Sequence, residues 1–556
     1  MARSEPHEGF DLNCPLRITH TTAQRYISTR GQDDRLLFEN SLFDTFTPDG
    51  GLFIPEKIPV LTPAEWQEWS RLCFQDIAFE LLSIFISPAE IPPEDLRGIV
   101  RRSFGAEDTV VPPLVRLSDG LYLLELFHGP KGLPEDMELR LLGNLFEYFL
   151  ARKNAGKEGK DRHHIAILHP ADEPAIALAL GDRRDVSIIR LQPDDVDEDD
   201  AQQMTLAASR KNIHTLVVKG SEDDCEGIID MLFAITSRSL EPHLNLATAS
   251  SISWARTLSQ MVIWIHAFFA LKRVLPSFDM EADKVRLVLP TRSFDIIACF
   301  LVRRMGLPVD KIVIATGEID PLVSFWATCR YRRQVRQGDL PALPDDASTQ
   351  KGGQSRQQPP NSRRGDVLVT SSFERLLWYL ACEFVSIAHM GDAWNIKEAG
   401  VEVTKWLRDL VDRDAFGPVY QDITRIGRNN FVAERVALQK SNSSQRGANA
   451  APGKVDTESL PADFRWDACE ATAAGVVASQ RSLSRTGINV PHISLAPVAY
   501  RKTRNGGWIG DRRMSVPANW GSSKGKEPVR SIANDWQVVR AAIAEIVERD
   551  SMRGTE

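Results

Sequence analysis

The chain alternates between short apolar runs of strand length and longer stretches with apolar residues at helical spacing. Residues 165–168, 186–191, 216–218, 285–289 and 311–316 are brief apolar runs, often β-branched, and read as strands. Residues 139–151, 225–235, 254–271 and 294–305 carry apolar positions three and four apart, which predicts helices. Strand and helix in regular alternation predict an α/β fold with a parallel sheet covered on both faces. Ligands of such sheets bind beyond the carboxyl ends of the strands, so chemistry is expected in the segments that follow these runs. The Trp and Phe stripe over 254–269 has helical spacing and reads as core. No internal repeat is visible.

Two stretches, 339–366 and 440–461, are rich in polar residues and chain breakers and hold almost no large apolar side chains; 515–526 has the same character. Too little apolar surface can be buried there to offset the entropy of ordering, so the first two are expected to be disordered insertions. They divide the chain into an N-terminal domain (1–120), an α/β core (121–338) with a continuation (367–439), and a C-terminal region (462–556). The 556 residues are 43% hydrophobic and 26% charged, which excludes a disordered protein and predicts a soluble globular one. Lys and Arg number 67 against 75 Asp and Glu, a net charge of −8 that argues against a nucleic-acid partner. The basic cluster at 330–336 reads as the edge of a solvated insertion.

Seven scattered cysteines with no Cys-x-x-Cys pair fit neither a disulfide framework nor a zinc site, and favour a reducing, cytoplasmic setting. His163 and His164 read as a surface pair lacking a third ligand, so no metal is expected. The first residues are acidic where a signal peptide needs an apolar stretch. The longest apolar stretch, 261–271, carries His266 and falls short of the roughly 18 residues that span a bilayer, so no membrane partner is expected.

Eight collinear blocks carry a resemblance. They include Ser28-Thr29-Arg30-Gly31, Asp49-Gly50-Gly51-Leu52-Phe53-Ile54-Pro55, Glu125-Leu126-Phe127-His128-Gly129-Pro130 and Gly143-Asn144-Leu145-Phe146-Glu147-Tyr148-Phe149-Leu150. Asp223-Asp224-Cys225, Ser253-Trp254-Ala255-Arg256, Arg304-Met305-Gly306-Leu307-Pro308 and Phe373-Glu374-Arg375-Leu376-Leu377-Trp378-Tyr379 continue the series. Together they resemble the threonine synthase family. The resemblance implies the type II pyridoxal phosphate (PLP) fold: two α/β units with parallel and mixed sheets and a cleft between them. The first 120 residues would be the family's N-terminal domain. The family's reaction turns O-phosphohomoserine and water into threonine and phosphate, and needs a Schiff-base lysine and glycine-rich loops for phosphate.

The family's lysine lies in His-Gly-Pro-Thr-x-x-Phe-Lys-Asp. The same register here reads His128-Gly129-Pro130-Lys131-Gly132-Leu133-Pro134-Glu135-Asp136, which puts Glu135 at the lysine position. The family's Ser-Gly-Asp-Thr-Gly loop is matched by Pro170-Ala171-Asp172-Glu173-Pro174, after His169. Prolines remove N–H donors and Glu173 adds repulsive charge. The cofactor-phosphate loop has become Pro290-Thr291-Arg292-Ser293-Phe294-Asp295, without its glycines. A basic turn has become Pro193-Asp194-Asp195-Val196-Asp197-Glu198-Asp199-Asp200, and a late Pro-His is missing near Asp467.

PLP is therefore expected from the family and expected to be lost. Glu135, Asp136, His128 and Lys131 are the candidate catalytic residues; His169, Asp172, Glu173, Arg292 and Ser293 are the candidate ligand-binding ones. Buried carboxylates suit general acid or base work. His128 also has a structural reading within its motif, and Glu135 and Asp136 a solvent-facing one. Three functions stay open: a PLP-independent enzyme on a small, specialised metabolite; a non-catalytic protein with a protein partner; and a threonine synthase using Lys131.

Overall fold

Each apolar run forms a strand, and each helical pattern a helix. The computed structural model describes residues 24–105, 111–128, 135–170, 176, 179–194, 211–235, 243–249, 253–290, 296–316, 373–389, 395–413, 431–435, 470–486, 490–497 and 530–553. The two predicted insertions, the 515–526 stretch and the basic cluster at 330–336 lie outside these described residues.

Strands β1 (Tyr26–Ser28) and β2 (Phe53–Pro55) pair antiparallel. A six-stranded sheet contains β3 (Leu114–Ser118), β4 (Leu121–Glu125), β9 (Val285–Pro290), β10 (Val309–Thr316), β11 (Phe431–Arg435) and β12 (His492–Ala496). Its order is β11-β10-β9-β12-β4-β3, parallel except for the β3–β4 hairpin. A five-stranded parallel sheet contains β5 (His164–Pro170), β6 (Val186–Pro193), β7 (Ile213–Val218), β8 (Leu244–Ala247) and β13 (Arg530–Ile532), in the order β13-β7-β6-β5-β8. The expected α/β architecture of two units with parallel and mixed sheets is therefore present.

The helices are α1 (Phe38–Phe43), α2 (Pro63–Trp69), α3 (Phe74–Phe85), α4 (Pro93–Phe104), α5 (Asp136–Lys153) and α6 (Glu222–Ile235). Then come α7 (Trp254–Val274), α8 (Ile296–Arg304), α9 (Phe373–His389), α10 (Ile396–Arg413), α11 (Glu470–Thr486) and α12 (Trp536–Arg553). Helix α7 is buried from Trp254 through Leu271, as expected of a helix apolar on every side. It shares one hydrophobic core with α5, with Ile165, Ile188 and Ile213 of the five-stranded sheet, and with Leu287 and Ile312 of the six-stranded one. The opposite face of the five-stranded sheet packs against α6 and α12 through Leu168, Leu216, Leu232 and Ile543.

The resembling blocks are packing devices. Arg30 donates to both carboxylate oxygens of Glu374 at 2.7 and 2.9 Å, fastening the β1 end to α9. Arg375 donates to the Phe53 carbonyl at 2.8 Å and lies 5.0 Å from the Trp254 ring centroid. Gly143 lets α5 approach its neighbour: a Cβ there would meet Leu180 Cδ2 at 2.9 Å. Gly475 does the same for α11 on β12, where a Cβ would stand 2.3 Å from Ser494 Oγ.

The expected surface pair is corrected by the fold. His164 opens β5 and is buried, because its side chain takes the α12 face of the sheet. Its Nε2 lies 2.9 Å from Ser187 Oγ, which donates to Asp550 of α12 at 2.6 Å. His214 Nε2 lies 2.7 Å from the same carboxylate oxygen. Among the described residues no group of acids, histidines and cysteines could hold a metal, and no helix is long and apolar enough to cross a membrane.

Burial pushes three histidines, His164, His266 and His492, down to about 4. Each folded value is depressed, so the unfolded chain binds more protons between about pH 4 and 6.5, and stability falls as pH falls through that window. A shift of this size corresponds to about 3 kcal/mol per histidine at the acid end. The thermal unfolding midpoint is expected to drop steadily from pH 7 to 4.5. His266→Gln should flatten that slope, and an unchanged slope would contradict the assignment.

Candidate functional site

Strand β4, between β12 and the edge strand β3, delivers Glu125 at its carboxyl end, beside the carboxyl end of β12, and the Leu126 N–H donates to the Ala496 carbonyl at 3.0 Å. Three residues on, His128 folds back so that its Nε2 lies 2.5 Å from Glu125 Oε2. Glu125 is buried, whereas the His128 side chain is 37% exposed, so part of the ring is accessible. The ring also lies against Phe127, centroids 4.6 Å apart. A carboxylate that holds one imidazole N–H fixes the tautomer and leaves Nδ1 able to take a proton.

Helix α5 starts next. Glu135 occupies its N-cap position, and its side chain does not cap the helix. Asp136 and Glu138 stand in the first turn and Arg152 and Lys153 in the last, so the charges complement the helix dipole at both ends. Asp136 is buried, which replaces the solvent-facing reading of this residue; Glu135 is partly buried. Glu138 is completely buried. Its Oε2 accepts from Arg256 Nε at 2.8 Å and Gln260 Nε2 at 3.1 Å. Arg256 Nη1 donates in turn to the Ala249 carbonyl just after β8, at 2.8 Å. Desolvation raises the Glu138 carboxyl above its usual range, and Arg256 pulls it back.

His169 stands at the carboxyl end of β5 in the other sheet and is buried. In register beside it on β6 is Arg190, also buried, and its guanidinium is lowered to about 10 by desolvation. The described candidate residues thus lie in two places, His128, Glu135 and Asp136 around the β4 end and the first turn of α5, and His169 at the end of β5 beside Arg190. Lys131, Asp172, Glu173, Arg292 and Ser293 lie outside the described residues, as does the acidic run beyond Asp194. Sequence reasoning missed Glu125, Glu138, Arg190 and Arg256. Only the three-residue spacing of Glu125 and His128 offered a signal.

The fold matches solved threonine synthases. The structure from yeast aligns with a TM-score of 0.69 and 28% identity, covering 95% of this chain and 99% of that one. The PLP-bound threonine synthase from Brucella melitensis aligns with a TM-score of 0.67 and 23% identity, covering 94% and 100%. The architecture is that of fold type II of the PLP-dependent enzymes. Residues 25–104 match the family model for the threonine synthase N terminus. The threonine synthase of Schizosaccharomyces pombe is 35% identical over 419 residues, 74% of this chain and 77% of that protein. The chain belongs to the threonine synthase family.

That family depends on PLP, which is held through an imine to a lysine nitrogen. A carboxylate has no nitrogen with which to form an imine. Positions 135, 136 and 138 are all acidic, a set that holds protons or cations rather than an aldehyde. None of these three side chains can form the imine that would hold the cofactor.

The buried pair gives a direct prediction. Arg256→Met leaves Glu138 without its counter-charge and should cost about 3–5 kcal/mol, read as a lower midpoint in chemical denaturation. Glu138→Gln strands the Arg256 guanidinium in the same way and should cost a comparable amount, and the two together less than their sum. Strict additivity would show that the two side chains act independently.

Proposed function

We propose that this member of the threonine synthase family has lost PLP chemistry and uses its cleft for acid–base catalysis on a small, specialised metabolite. The observation that carries the reading is the carboxylate Glu135 at the start of α5, in register with the family's lysine and followed by Asp136 and Glu138. The helix would still present a side chain at the place where the family does its chemistry, now one that exchanges protons.

The retained Glu125–His128 pair supports the same reading. Glu125 accepts the His128 Nε2–H, so His128 Nδ1 is the base and Glu125 steadies the imidazolium once the proton has arrived. Glu135 is then the second proton-transferring group, acting on the opposite end of the reacting bond. Asp136 and Glu138 keep the first turn of α5 in place through their burial, and Arg256 braces Glu138. Such a pair of groups suits isomerisation, elimination or cyclisation, in which a proton leaves one atom and another is delivered nearby.

The test uses the purified full-length chain with candidate pathway intermediates. Glu135→Gln and His128→Gln should each lower turnover about 10²- to 10⁴-fold while the folded state is kept. Variants as active as the parent on every intermediate would remove acid–base catalysis from this cleft.

A further inference from the structure

The outer face of the five-stranded sheet carries a polar row at the amino ends of its strands. His164, Ser187 and His214 stand there on β5, β6 and β7, and all three are buried. Two residues further along each strand the same face turns apolar, with Ala166, Ile189 and Leu216 in the core shared with α6 and α12. The end of α12 meets the polar row with Arg549, Asp550 and Ser551.

The hydrogen bonds assign every proton in this cluster. Ser187 has one hydroxyl proton and gives it to Asp550 Oδ2 at 2.6 Å, so its oxygen accepts from His164 Nε2 at 2.9 Å. His164 Nδ1 is then the bare nitrogen, and it faces the Ser551 hydroxyl at 3.3 Å. His214 gives its Nε2–H to the same Asp550 oxygen at 2.7 Å, and its bare Nδ1 faces Arg549 Nη2 at 3.2 Å. Both nitrogens able to take a proton are therefore covered by donors from α12, and a proton competes with the docked helix for the same two atoms. A guanidinium has no acceptor to offer, so a proton on His214 sets N–H against N–H. A proton on His164 turns the Ser551 hydroxyl away and puts a charge in a buried place. Burial opposes that charge most strongly; Asp185 and Asp550 favour it, and Arg162 and His214 oppose it. Arg162 is itself paired with Asp185, its Nε donating at 2.9 Å. Burial also pushes the Asp550 carboxyl up, and the hydrogen bonds from His214 and Ser187 more than offset it, so it lies below its usual range. The other ion pairs of α12, Lys160 with Glu548 and Arg530 with Glu545, are exposed and hold little.

We infer that the end of α12 is a proton-operated lock: protonation of His164 and His214 releases the C-terminal helix from the sheet while the core around α7 stays folded. What else attaches this segment is small enough to give way as a unit. Strand β13 pairs with β7 over three residues, and α12 adds an apolar ridge of Val539, Ala542, Ile543, Ile546 and Val547. The lock sits at the amino ends of the strands, away from His169 at the carboxyl end of β5, and does not depend on the function proposed above.

Hydrogen exchange of the full-length protein, resolved by peptide and corrected for the intrinsic effect of pH, reads the opening of each element. His164 holds its proton at about 4 when docked and at about 6.5 when free, so the released state binds more protons and opening rises as pH falls. Between pH 7 and 5 the α12 amides should open about twenty-fold more often, while the α7 amides keep their protection. His164→Gln retains an N–H for Ser187 and cannot titrate, and should cut that rise to less than about three-fold. Asp550→Asn removes the charge that gathers the cluster and should open α12 about ten-fold at pH 7 already. Should His164→Gln fail to fold, the parent protein and Asp550→Asn decide. An α12 opening that ignores pH, or α12 and α7 losing protection together, would overturn the proposal. So would a full rise retained in His164→Gln, or an α12 in Asp550→Asn as protected at pH 7 as in the parent.

Discussion

The buried bridge from Glu138 through Arg256 to the Ala249 carbonyl is the contact on which the site depends. It joins the first turn of α5 to the start of α7, 118 residues further along the chain, and to the segment that connects β8 with α7. Each partner is costly to bury alone, and together they satisfy one another, with Gln260 adding a third donor to the carboxylate. Because α5 is held from inside the core, the position before its first residue is fixed whatever side chain stands there.

The molecule reads in that way throughout. Arg30 on Glu374, Arg375 on Phe53 and Trp254, and the close approach at Gly143 are packing contacts made by the blocks that carry the family resemblance. The segments that depart from the family pattern follow strand ends or precede helices, where sequence can change without disturbing a core. Glu125 and His128 belong to both groups. They lie in a shared block, yet their geometry is that of a proton-handling pair.

Much of this was legible before the fold was seen. Helix α7 declared itself by its Trp and Phe stripe at helical spacing, and β5, β6, β9 and β10 by short β-branched runs. What was hidden is long-range. Strand β12 comes from far along the chain and inserts between β9 and β4, a pairing no local pattern can reveal. Arg190 interrupts an apolar run and could have faced out; only its register with His169 and Thr215 shows a buried polar row. His164 looked like half of a surface pair because its burial is provided by α12, whose Asp550 is distant in sequence. Glu138 gave no signal, since one acid in the first turn of a helix is ordinary and its partner Arg256 lies on another helix.

The central claim is that a carboxylate has replaced the imine-forming lysine and that PLP chemistry went with it. Its most direct test is the near-visible absorption of the purified full-length protein after incubation with PLP, followed by borohydride reduction and peptide mapping. The account predicts no internal-aldimine band and no lysine bearing the reduced cofactor. A stable band fixed by borohydride to Lys131, with release of phosphate from O-phosphohomoserine, would contradict it and make this chain a working threonine synthase.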